Sequence, residues 1–282
     1  MITTLRFSAA AALRLGAGLG LLLGSCAPVR DLASSTYDLQ TRLNPADPAR
    51  AAAPHGIEAV CARGTLNYLI PVEGSVVLVD AGYDEEGEAI LAALEGRKVL
   101  AVLLTHGHLD HRAAAHLFDA PVYVGAGDLL SFTDPRHYHA LVPLAGEVAL
   151  GLPPVPRTLL PVEDGEVLVV GGRRFTALHL PGHTPGSTAW LFEDVLFTGD
   201  AVQAPRGEAV FPAPWLVSED IDGAWRSLRR LERVPFTTLF DGHYGRLDDA
   251  RPKVRAALDT YRQQGPFTHP LLRPTGCAEG SR

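Results

Sequence analysis

The chain has 282 residues, with 25 Lys and Arg against 32 Asp and Glu, and hence a formal net charge of −7. Apolar residues make up 46% and charged residues 20%, which is globular composition and excludes collagen-like, coiled-coil and disordered chains. The acidic balance argues against nucleic acid as the main partner, because phosphate contacts need a basic face. Three cysteines are too few for a disulfide scaffold.

The first 26 residues have the layout of a secretory signal peptide. Two arginines precede an apolar run, Leu15 to Leu23, that is too short to cross a bilayer comfortably as a helix. The run ends in Leu23-Gly24-Ser25-Cys26, which resembles the lipobox of bacterial lipoproteins. In that family the chain is cut before the cysteine, and Cys26 then carries a diacylglycerol. We therefore expect export to the bacterial cell envelope and attachment to a membrane through this lipid anchor; a plain secreted protein is the alternative.

The sequence divides into four segments. Residues 1–25 are the expected lipoprotein signal peptide. Residues 26–56 are the expected anchor and flexible tether, because they are rich in Ser, Pro and Ala and have no periodic apolar pattern. Residues 57–265 carry the globular domain, and residues 266–282 form a C-terminal tail. Cys61 and Cys277 could pair in an oxidising envelope or remain free thiols.

Short β-branched runs alternate with helical patterns through the globular part, which favours an α/β fold of two sheets with helices outside. Glu73-Gly74 is a hairpin signal between the first two strands. Five prolines in residues 132–157 predict an inserted loop. Ser218 is the expected N-cap of the helix predicted at 221–231. Strands are predicted at 65–70, 75–79, 99–104, 121–124, 167–170, 175–180, 188–192, 195–198 and 237–240, and helices at 85–94, 111–118, 221–231 and 249–262.

Histidine and aspartate cluster just after the strand predicted at 99–104, in the run Thr105-His106-Gly107-His108-Leu109-Asp110-His111. His106 and His108 are two residues apart in extended backbone, so their side chains point to the same side and can grip one metal ion. Asp110 and His111 lie where the chain turns into a helix, and they can point at a second ion nearby. Imidazole and carboxylate ligands together suit zinc, iron or manganese.

Three further donors stand in the same setting, each just after a β-rich run. They are His183 in Pro181–Ser187, Asp200 in Thr198-Gly199-Asp200, and His243 in Asp241-Gly242-His243-Tyr244. Loops at strand ends are a usual place for functional residues. Seven donors at four strand ends therefore predict a centre for two divalent metal ions, with Zn²⁺ expected first and Fe or Mn as alternatives.

The motif His106-x-His108-x-Asp110-His111, followed in order by the other three donors, resembles the signature of the metallo-β-lactamase fold superfamily of hydrolases. The resemblance runs from about Thr65 to Gly245. It implies an αββα sandwich, that is, two mixed β-sheets with helices on their outer faces, over residues 57–265.

The resemblance also implies a role for each donor. It implies that His106, His108 and His183 bind the first metal. It implies that Asp110, His111 and His243 bind the second metal, and that Asp200 bridges both. Asp80, in Val79-Asp80-Ala81-Gly82, is implied to be a structural carboxylate near the ligand loop, and a turn-capping aspartate is the alternative.

This ligand set predicts hydrolysis by an activated water. Two cations roughly 3.5–4 Å apart lower the pKa of a shared water, so that a metal-bridging hydroxide exists near neutral pH and attacks a carbonyl. Asp110 is expected to orient this nucleophile and is the predicted catalytic residue. No Ser or Cys nucleophile is required, and the sequence has no Gly-x-Ser-x-Gly elbow.

The bridging position favours a small-molecule acyl substrate. The family's true β-lactamases place Cys or Ser where this chain has Asp200, so the cleaved bond is expected in a thioester, ester or lactone. The motifs look most like those of hydroxyacylglutathione hydrolase (glyoxalase II), although this chain has only two lysines, Lys98 and Lys253. Acyl-homoserine lactonases are the next resemblance, but Gln203 stands where they usually carry a Tyr.

Three aromatic residues are candidates for the substrate pocket: Tyr244, Tyr138 and Trp215. Tyr244 stands beside His243 and could donate to an oxyanion, with packing as the alternative. Tyr138 could line the pocket, with a solvated loop as the alternative. Trp215, among prolines, could form an apolar rim.

Other functions remain open on the sequence. They are a β-lactamase-like amide hydrolase, a mononuclear iron persulfide dioxygenase and a non-catalytic zinc-binding surface lipoprotein. A mononuclear site would leave His111 and His243 idle, and zinc storage does not need an open bridging position. The oligomeric state is not predicted.

Overall fold

Two six-stranded sheets pack face to face in the computed structural model, with helices on their outer faces. The structure describes residues 54–207 and 209–264. The αββα sandwich predicted from the sequence is confirmed. The predictions for the signal peptide (1–25), for Cys26 and the tether as far as residue 53, for Cys277 and for the tail lie outside the described residues. Within the described ranges, no helix has the length and hydropathy needed to cross a membrane.

Sheet one has its strands in chain order, with the predicted hairpin at its start. Val72 pairs with Ser75, so Glu73 and Gly74 form a two-residue turn, and both have positive φ (44° and 76°), as a tight hairpin turn requires. From β3 to β6 the strands are parallel. The strands are β1 (Glu58–Ala62), β2 (Thr65–Val72), β3 (Ser75–Val79), β4 (Val99–Leu103), β5 (Val122–Gly125) and β6 (Leu159–Val162).

Sheet two is antiparallel except for one pair, the parallel strands β10 and β11. Parallel strands end at the same edge of a sheet, so the loops after β10 and β11 are neighbours. The strands are β7 (Val167–Val170), β8 (Arg173–His179), β9 (Thr188–Phe192), β10 (Val195–Gly199), β11 (Thr238–Asp241) and β12 (Arg246–Leu247).

The main core lies between the two sheets. Alternate residues of β2, namely Leu66, Tyr68 and Ile70, pack in one cluster with aromatic side chains of sheet two such as Trp190 and Phe197. This alternation follows from the period of two in a strand. Each such fully buried side chain contributes about 1.5–3 kcal/mol, so the core holds the strand ends of both sheets in place.

Five α-helices lie in the described part of the chain: α1 (Glu88–Leu94), α2 (Leu109–Arg112), α3 (Leu141–Leu150), α4 (Ile221–Leu228) and α5 (Ala250–Gln264). Ile90 of α1 packs in the cluster on the outer face of sheet one. Trp225 of α4 and Leu258 of α5 pack in the cluster on the outer face of sheet two.

The inserted loop predicted at 132–157 is wrong, because this segment contains α3. Its prolines are compatible with a helix where they stand. Pro135 precedes the helix, and Pro143 lies in its first turn, where the backbone N–H needs no helical partner. The other three prolines follow Gly151, which ends the helix with a φ of 84°. Proline count alone therefore misled the prediction.

Three other predictions need correction. Helix 111–118 is the short α2 followed by a 3₁₀ helix, Ala113–Leu117. The N-cap of α4 is Asp220, whose Oδ1 accepts a hydrogen bond from the Gly223 N–H at 2.8 Å, and not Ser218. The strands β1, β6 and β12 were not predicted, since they are short and lie beside stronger patterns.

Candidate metal centre

Four loops meet at one edge of the sandwich. They follow β4, β8, β10 and β11, and each carries at least one of the predicted donors. Backbone hydrogen bonds join this edge of the sandwich. Thr188 N donates to Thr105 O at 2.7 Å between the two sheets, and Gly242 N donates to Gly199 O at 3.2 Å within sheet two. The fold thus brings together seven side chains that are up to 137 positions apart in the sequence, from His106 to His243.

The first set, which we call the three-histidine group, consists of His106, His108 and His183. Nε2 of His106 lies 3.2 Å from Nδ1 of His108 and 3.2 Å from Nε2 of His183. All three residues are buried, with exposed fractions of 5% or less. Three imidazole nitrogens that converge on one point form a ligand set for a tetrahedral metal site with one open position.

The second set, which we call the aspartate–histidine group, consists of Asp110, His111, Asp200 and His243. Oδ1 of Asp200 lies 3.2 Å from Nε2 of His243 and 3.6 Å from Nε2 of His111. Oδ2 of Asp110 lies 3.7 Å from each of the same two nitrogens. The other oxygen of Asp200 lies 3.8 Å from Nε2 of His183, so this carboxylate faces both groups.

The polar atoms of both groups fit divalent metal ions. Nε2 of His111 and Oδ1 of Asp200 are buried without a hydrogen-bond partner among the described residues. Buried polar atoms are nearly always paired, and a cation between them would satisfy both. A Cβ at Gly242 would meet His111 at 2.5 Å and Asp200 at 2.8 Å, so a glycine is needed to leave this space open.

The three-histidine group is held in the neutral form that binds metals. Burial and the neighbouring imidazoles lower the pKa of His106 well below its usual value, and burial together with His183 does the same for His108. The pKa of His183 falls to about 4, mainly because of burial. Neutral imidazoles are the species that coordinate a cation, so no proton has to leave near neutral pH.

The aspartate–histidine group has the opposite electrostatics. Burial opposes a charge on His111, but Asp110 and Asp80 outweigh it and raise the pKa of His111 to about 9. Burial is likewise outweighed at His243, where Asp200 raises the pKa to about 10. This half of the centre therefore holds carboxylate charge that attracts positive charge, which is the property expected of a cation site.

Two buried side chains orient the ligand rings. Oδ2 of Asp80 lies 2.9 Å from Nδ1 of His111, which is the position implied for this carboxylate near the ligand loop. Oγ of Ser218 lies 3.1 Å from Nδ1 of His183 and donates to the carbonyl of Ala213. The sequence pattern predicts Ser218 to be a helix N-cap. Its contact with His183 could not be predicted, because no local pattern indicates a contact with a residue 35 positions away.

The three predicted pocket residues lie in different environments. Tyr138 is fully buried, with its ring edge-on to His108 at 4.5 Å between centroids. It therefore lies neither in a solvated loop nor on an open pocket surface. Trp215 is 54% exposed, and Tyr244 is partly buried. Burial and the charges of Asp241 and Asp200 raise the pKa of Tyr244, so its phenol remains a donor at neutral pH.

Tyr83 is a further side chain at the centre that the sequence did not single out. It is half-buried, and burial together with the charge of Asp110 raises its pKa to about 12. Its hydroxyl is thus protonated at neutral pH. Only the effect of the Asp110 charge on its pKa, and no sequence pattern of its own, connects it with the centre.

Comparison with curated proteins finds relatives named for hydrolysis of acyl compounds. The chain is 27% identical to an atrochrysone carboxyl ACP thioesterase of Aspergillus fumigatus over 70% of this chain and 56% of the relative. It is 32% identical to a hydroxyacylglutathione hydrolase of Cereibacter sphaeroides over 59% of this chain and 57% of the relative. The chain spans 56% to 62% of the length of the first curated relatives it matches.

The fold and the family are shown by two further comparisons. The solved structure of TTHA1623 in a di-iron-bound form matches with a TM-score of 0.50 and 31% identity, over 66% of this chain and 91% of that one. The family model described as the metallo-beta-lactamase superfamily matches residues 62–243. That match spans more than half of the chain, which therefore belongs to the metallo-beta-lactamase superfamily, a superfamily of metal-dependent hydrolases.

Proposed function

We propose that the chain is a dinuclear metal-dependent hydrolase that cleaves a small-molecule thioester, ester or lactone. The observation that carries this proposal is the position of Asp200, whose carboxylate lies 3.8 Å from Nε2 of His183 in one group and 3.6 and 3.2 Å from Nε2 of His111 and His243 in the other. This arrangement supports a pair of adjacent metals. The relatives named thioesterase and hydroxyacylglutathione hydrolase make an acyl thioester the first substrate to test.

Each group of the centre has a part in this chemistry. The three-histidine group would hold one cation, and Asp110, His111 and His243 would hold the other, with Asp200 between them. Two divalent cations supply hydroxide near neutral pH and polarise the substrate carbonyl. We propose Zn²⁺ for both positions; Fe is the alternative that the di-iron form of TTHA1623 supports.

The chain's own side chains would orient the nucleophile and donate a proton to the oxygen that gains negative charge. The Asp110 side chain is 14% exposed and lies 3.7 Å from the nitrogens of His111 and His243, so its carboxylate can orient a nucleophile and hold its proton. Tyr83 and Tyr244 carry protonated phenols, which can donate to an oxygen that gains negative charge.

An apolar rim supports an acyl chain on the substrate. Trp215 and Leu141 are 54% and 65% exposed, and Val142 N donates to Leu216 O at 3.3 Å, so the start of α3 lies beside the Trp215 segment. The same segment touches the centre at both ends, because Ala213 N donates to Asp200 O and Ser218 contacts His183. An apolar group bound here would lie next to the metals.

The test is a panel of acyl thioesters, aliphatic esters, lactones, β-lactams and a persulfide offered to purified, zinc-loaded protein. We expect thioester, ester or lactone turnover, and Asp110→Asn should lower kcat by about 10²- to 10⁴-fold. Asp119→Asn, at a carboxylate that is 91% exposed, is the matched control. Absence of turnover on every carbonyl substrate overturns the hydrolase, and full turnover by Asp110→Asn overturns the site. Bound metal measured at one iron per chain with persulfide oxidation would replace this function with the dioxygenase.

We also propose that Cys26 carries a lipid that holds the catalytic domain at a membrane of the cell envelope. The support is the lipobox-like run before Cys26 and the Ser-, Pro- and Ala-rich stretch that follows it. Membrane fractionation of the full chain and of Cys26→Ser tests this. The wild type should sediment with membranes and the variant should be soluble; a variant that still sediments overturns lipidation.

A further inference from the structure

A buried aspartate that is not one of the seven donors connects the two loops of the three-histidine group. Asp128 lies in the 3₁₀ helix Ala126–Phe132, just after β5, and its exposed fraction is 0%. Its Oδ2 accepts hydrogen bonds from Gly107 N at 2.9 Å and from Oγ1 of Thr184 at 2.6 Å. Its Oδ1 accepts from Gly186 N at 2.8 Å.

These three donors belong to the ligand loops themselves. Gly107 stands between His106 and His108, and Thr184 follows His183 directly. The three histidines come from loops about 75 residues apart in sequence, and their nitrogens must converge to within 3.2 Å. One carboxylate therefore holds the backbone of both loops at the place where their rings must meet.

The backbone of this segment is packed tightly against the His183 loop. A Cβ at Gly125 would meet Gly186 O at 2.0 Å, and a Cβ at Gly127 would meet the Pro185 backbone at 2.6 Å. A Cβ at Gly186 would in turn meet Asp128 N at 2.5 Å. The backbone of residues 125–128 thus packs directly against the backbone of residues 185–186, which leaves no room for a water to replace the carboxylate.

The carboxylate oxygens of Asp128 accept all three bonds, two at Oδ2 and one at Oδ1. An asparagine has one acceptor oxygen and one NH₂ group. If the NH₂ faces Gly107, that backbone N–H meets another donor, and if it faces Gly186, the N–H of Gly186 does. Either orientation leaves one buried backbone donor unpaired. Asp128→Asn therefore hardly changes the shape of the side chain but removes one hydrogen bond to a ligand loop.

We propose that Asp128 is a positioning residue that sets the geometry of the three-histidine group and has no such effect on the aspartate–histidine group. The inference rests on the proposed metal centre and is independent of the substrate. Such partners behind metal ligands typically change metal affinity by about 10- to 100-fold. The effect should therefore appear as weaker binding at one of the two metal positions.

Asp241 offers a matched comparison at the other position. It is also fully buried, and its carboxylate accepts from the backbone N–H groups of Ala204, His243 and Gly245 at 2.7, 2.9 and 3.1 Å. It braces the loop that carries His243 just as Asp128 braces the loops of His108 and His183. Asp128 and Asp241 are thus equally buried carboxylates, one behind the three-histidine group and the other behind the aspartate–histidine group.

The experiment measures zinc affinity by chelator competition in two single-group backgrounds of the full domain. His243→Ala weakens the aspartate–histidine group and leaves the three-histidine position, and His183→Ala does the reverse. In the His243→Ala background we expect Asp128→Asn to weaken the remaining zinc by about 10- to 100-fold. In the His183→Ala background we expect Asp128→Asn to change affinity by less than about twofold. Asp241→Asn should show the reversed pattern.

The outcomes separate this inference from the proposed function. Wild type that binds no zinc overturns the proposed metal centre itself. Wild type that binds two zinc ions while Asp128→Asn weakens both backgrounds equally, or neither, overturns the role of Asp128. Circular dichroism of the metal-free variants establishes that they fold. If Asp128→Asn does not fold, Thr184→Val removes one of the three bonds and Thr184→Ser retains it, so unchanged zinc affinity in Thr184→Val overturns the inference.

Discussion

Oδ2 of Asp80 lies 2.9 Å from Nδ1 of His111, and both side chains are buried, with exposed fractions of 1% and 0%. The same carboxylate accepts from Thr105 N at 2.7 Å, so it is tied to the start of the ligand loop. Because Nδ1 of His111 faces this carboxylate, Nδ1 keeps its proton, and Nε2 is the nitrogen that would give up its proton and bind a cation in the aspartate–histidine group.

Asp80→Asn should therefore weaken metal binding through the tautomer of His111. If the new NH₂ faces His111, Nδ1 must become an acceptor and the proton moves to Nε2, which then cannot coordinate. We expect zinc affinity to fall by about 10- to 100-fold, measured by chelator competition. Asp84→Asn is the matched control, since Asp84 accepts from Glu88 N at 3.0 Å and is not one of the metal-centre residues. Equal zinc affinity in wild type and Asp80→Asn would contradict this role.

The donors could be predicted because their spacing is local. His106, His108, Asp110 and His111 stand in one six-residue window after a strand, and strand ends collect at one edge of an α/β fold. The residues that hold them could not be predicted in the same way. Asp128 contacts Thr184, which is 56 positions away, and Ser218 contacts His183, which is 35 positions away; in sequence each resembles an ordinary turn or cap residue.

The elements of the fold, like the residues of the centre, could be predicted where the signal is local. The strands of the core were predictable, because alternating apolar residues such as Leu66, Tyr68 and Ile70 record which face is buried. Helix α3 was not predictable in this way, because a cluster of prolines favours a loop unless their positions relative to the helix ends are known. Glu147 of that helix pairs with Arg112 beside the ligand loop, so the sequence analysis that missed the helix also missed this contact.

Gly182 should be indispensable for folding of the His183 loop. Its φ is 143°, and a Cβ there would meet Ala224 N at 2.1 Å and Ala224 Cα at 2.4 Å. Gly182→Ala should lower the free energy of unfolding by about 2 kcal/mol or more, because overpacking and backbone strain add. Denaturant unfolding measures the change. Gly146→Ala is the control, since that glycine is in α3 with open space around it, and it should be neutral or stabilise by up to about 1 kcal/mol. Equal effects of the two substitutions would refute the close-contact explanation.

Trp215 should bind the acyl part of the substrate without taking part in bond cleavage. Its exposed ring lies on the segment that contacts Asp200 and His183 at its two ends. Trp215→Ala should raise KM for a long acyl substrate by about fivefold, as expected for about 1 kcal/mol of lost apolar contact, and leave kcat within about twofold. Val169→Ala, a 62% exposed residue on the edge strand β7, is the control. A fall in kcat with constant KM would contradict this assignment.

Arg112 and Glu147 form a buried ion pair that attaches α3 to the ligand loop. Nη2 of Arg112 lies 3.2 Å from Oε1 of Glu147, and their side chains are 1% and 2% exposed. Arg112 also donates to the carbonyl of Gly107 and, at 3.0 Å, to that of Ser131. Burial raises the pKa of Glu147 to about 7, although the charge of Arg112 acts against this shift.

The contribution of Glu147 to the stability of the metal-free protein should therefore fall as pH rises through this range. Glu147 has a folded pKa of about 7 against an unfolded pKa near 4.5. Between these values the unfolded chain has lost the proton that the folded chain retains, so the stabilising contribution is complete below pH 4.5 and lost above pH 7. The loss is on the order of 3 kcal/mol. The difference in unfolding free energy between wild type and Glu147→Gln, measured in denaturant between pH 4.5 and 8, should show this slope. The difference between wild type and Glu86→Gln, at an exposed carboxylate, should not vary with pH. If Glu147→Gln keeps the wild-type slope, the pH dependence belongs to other groups and Glu147 is already ionised in the folded protein.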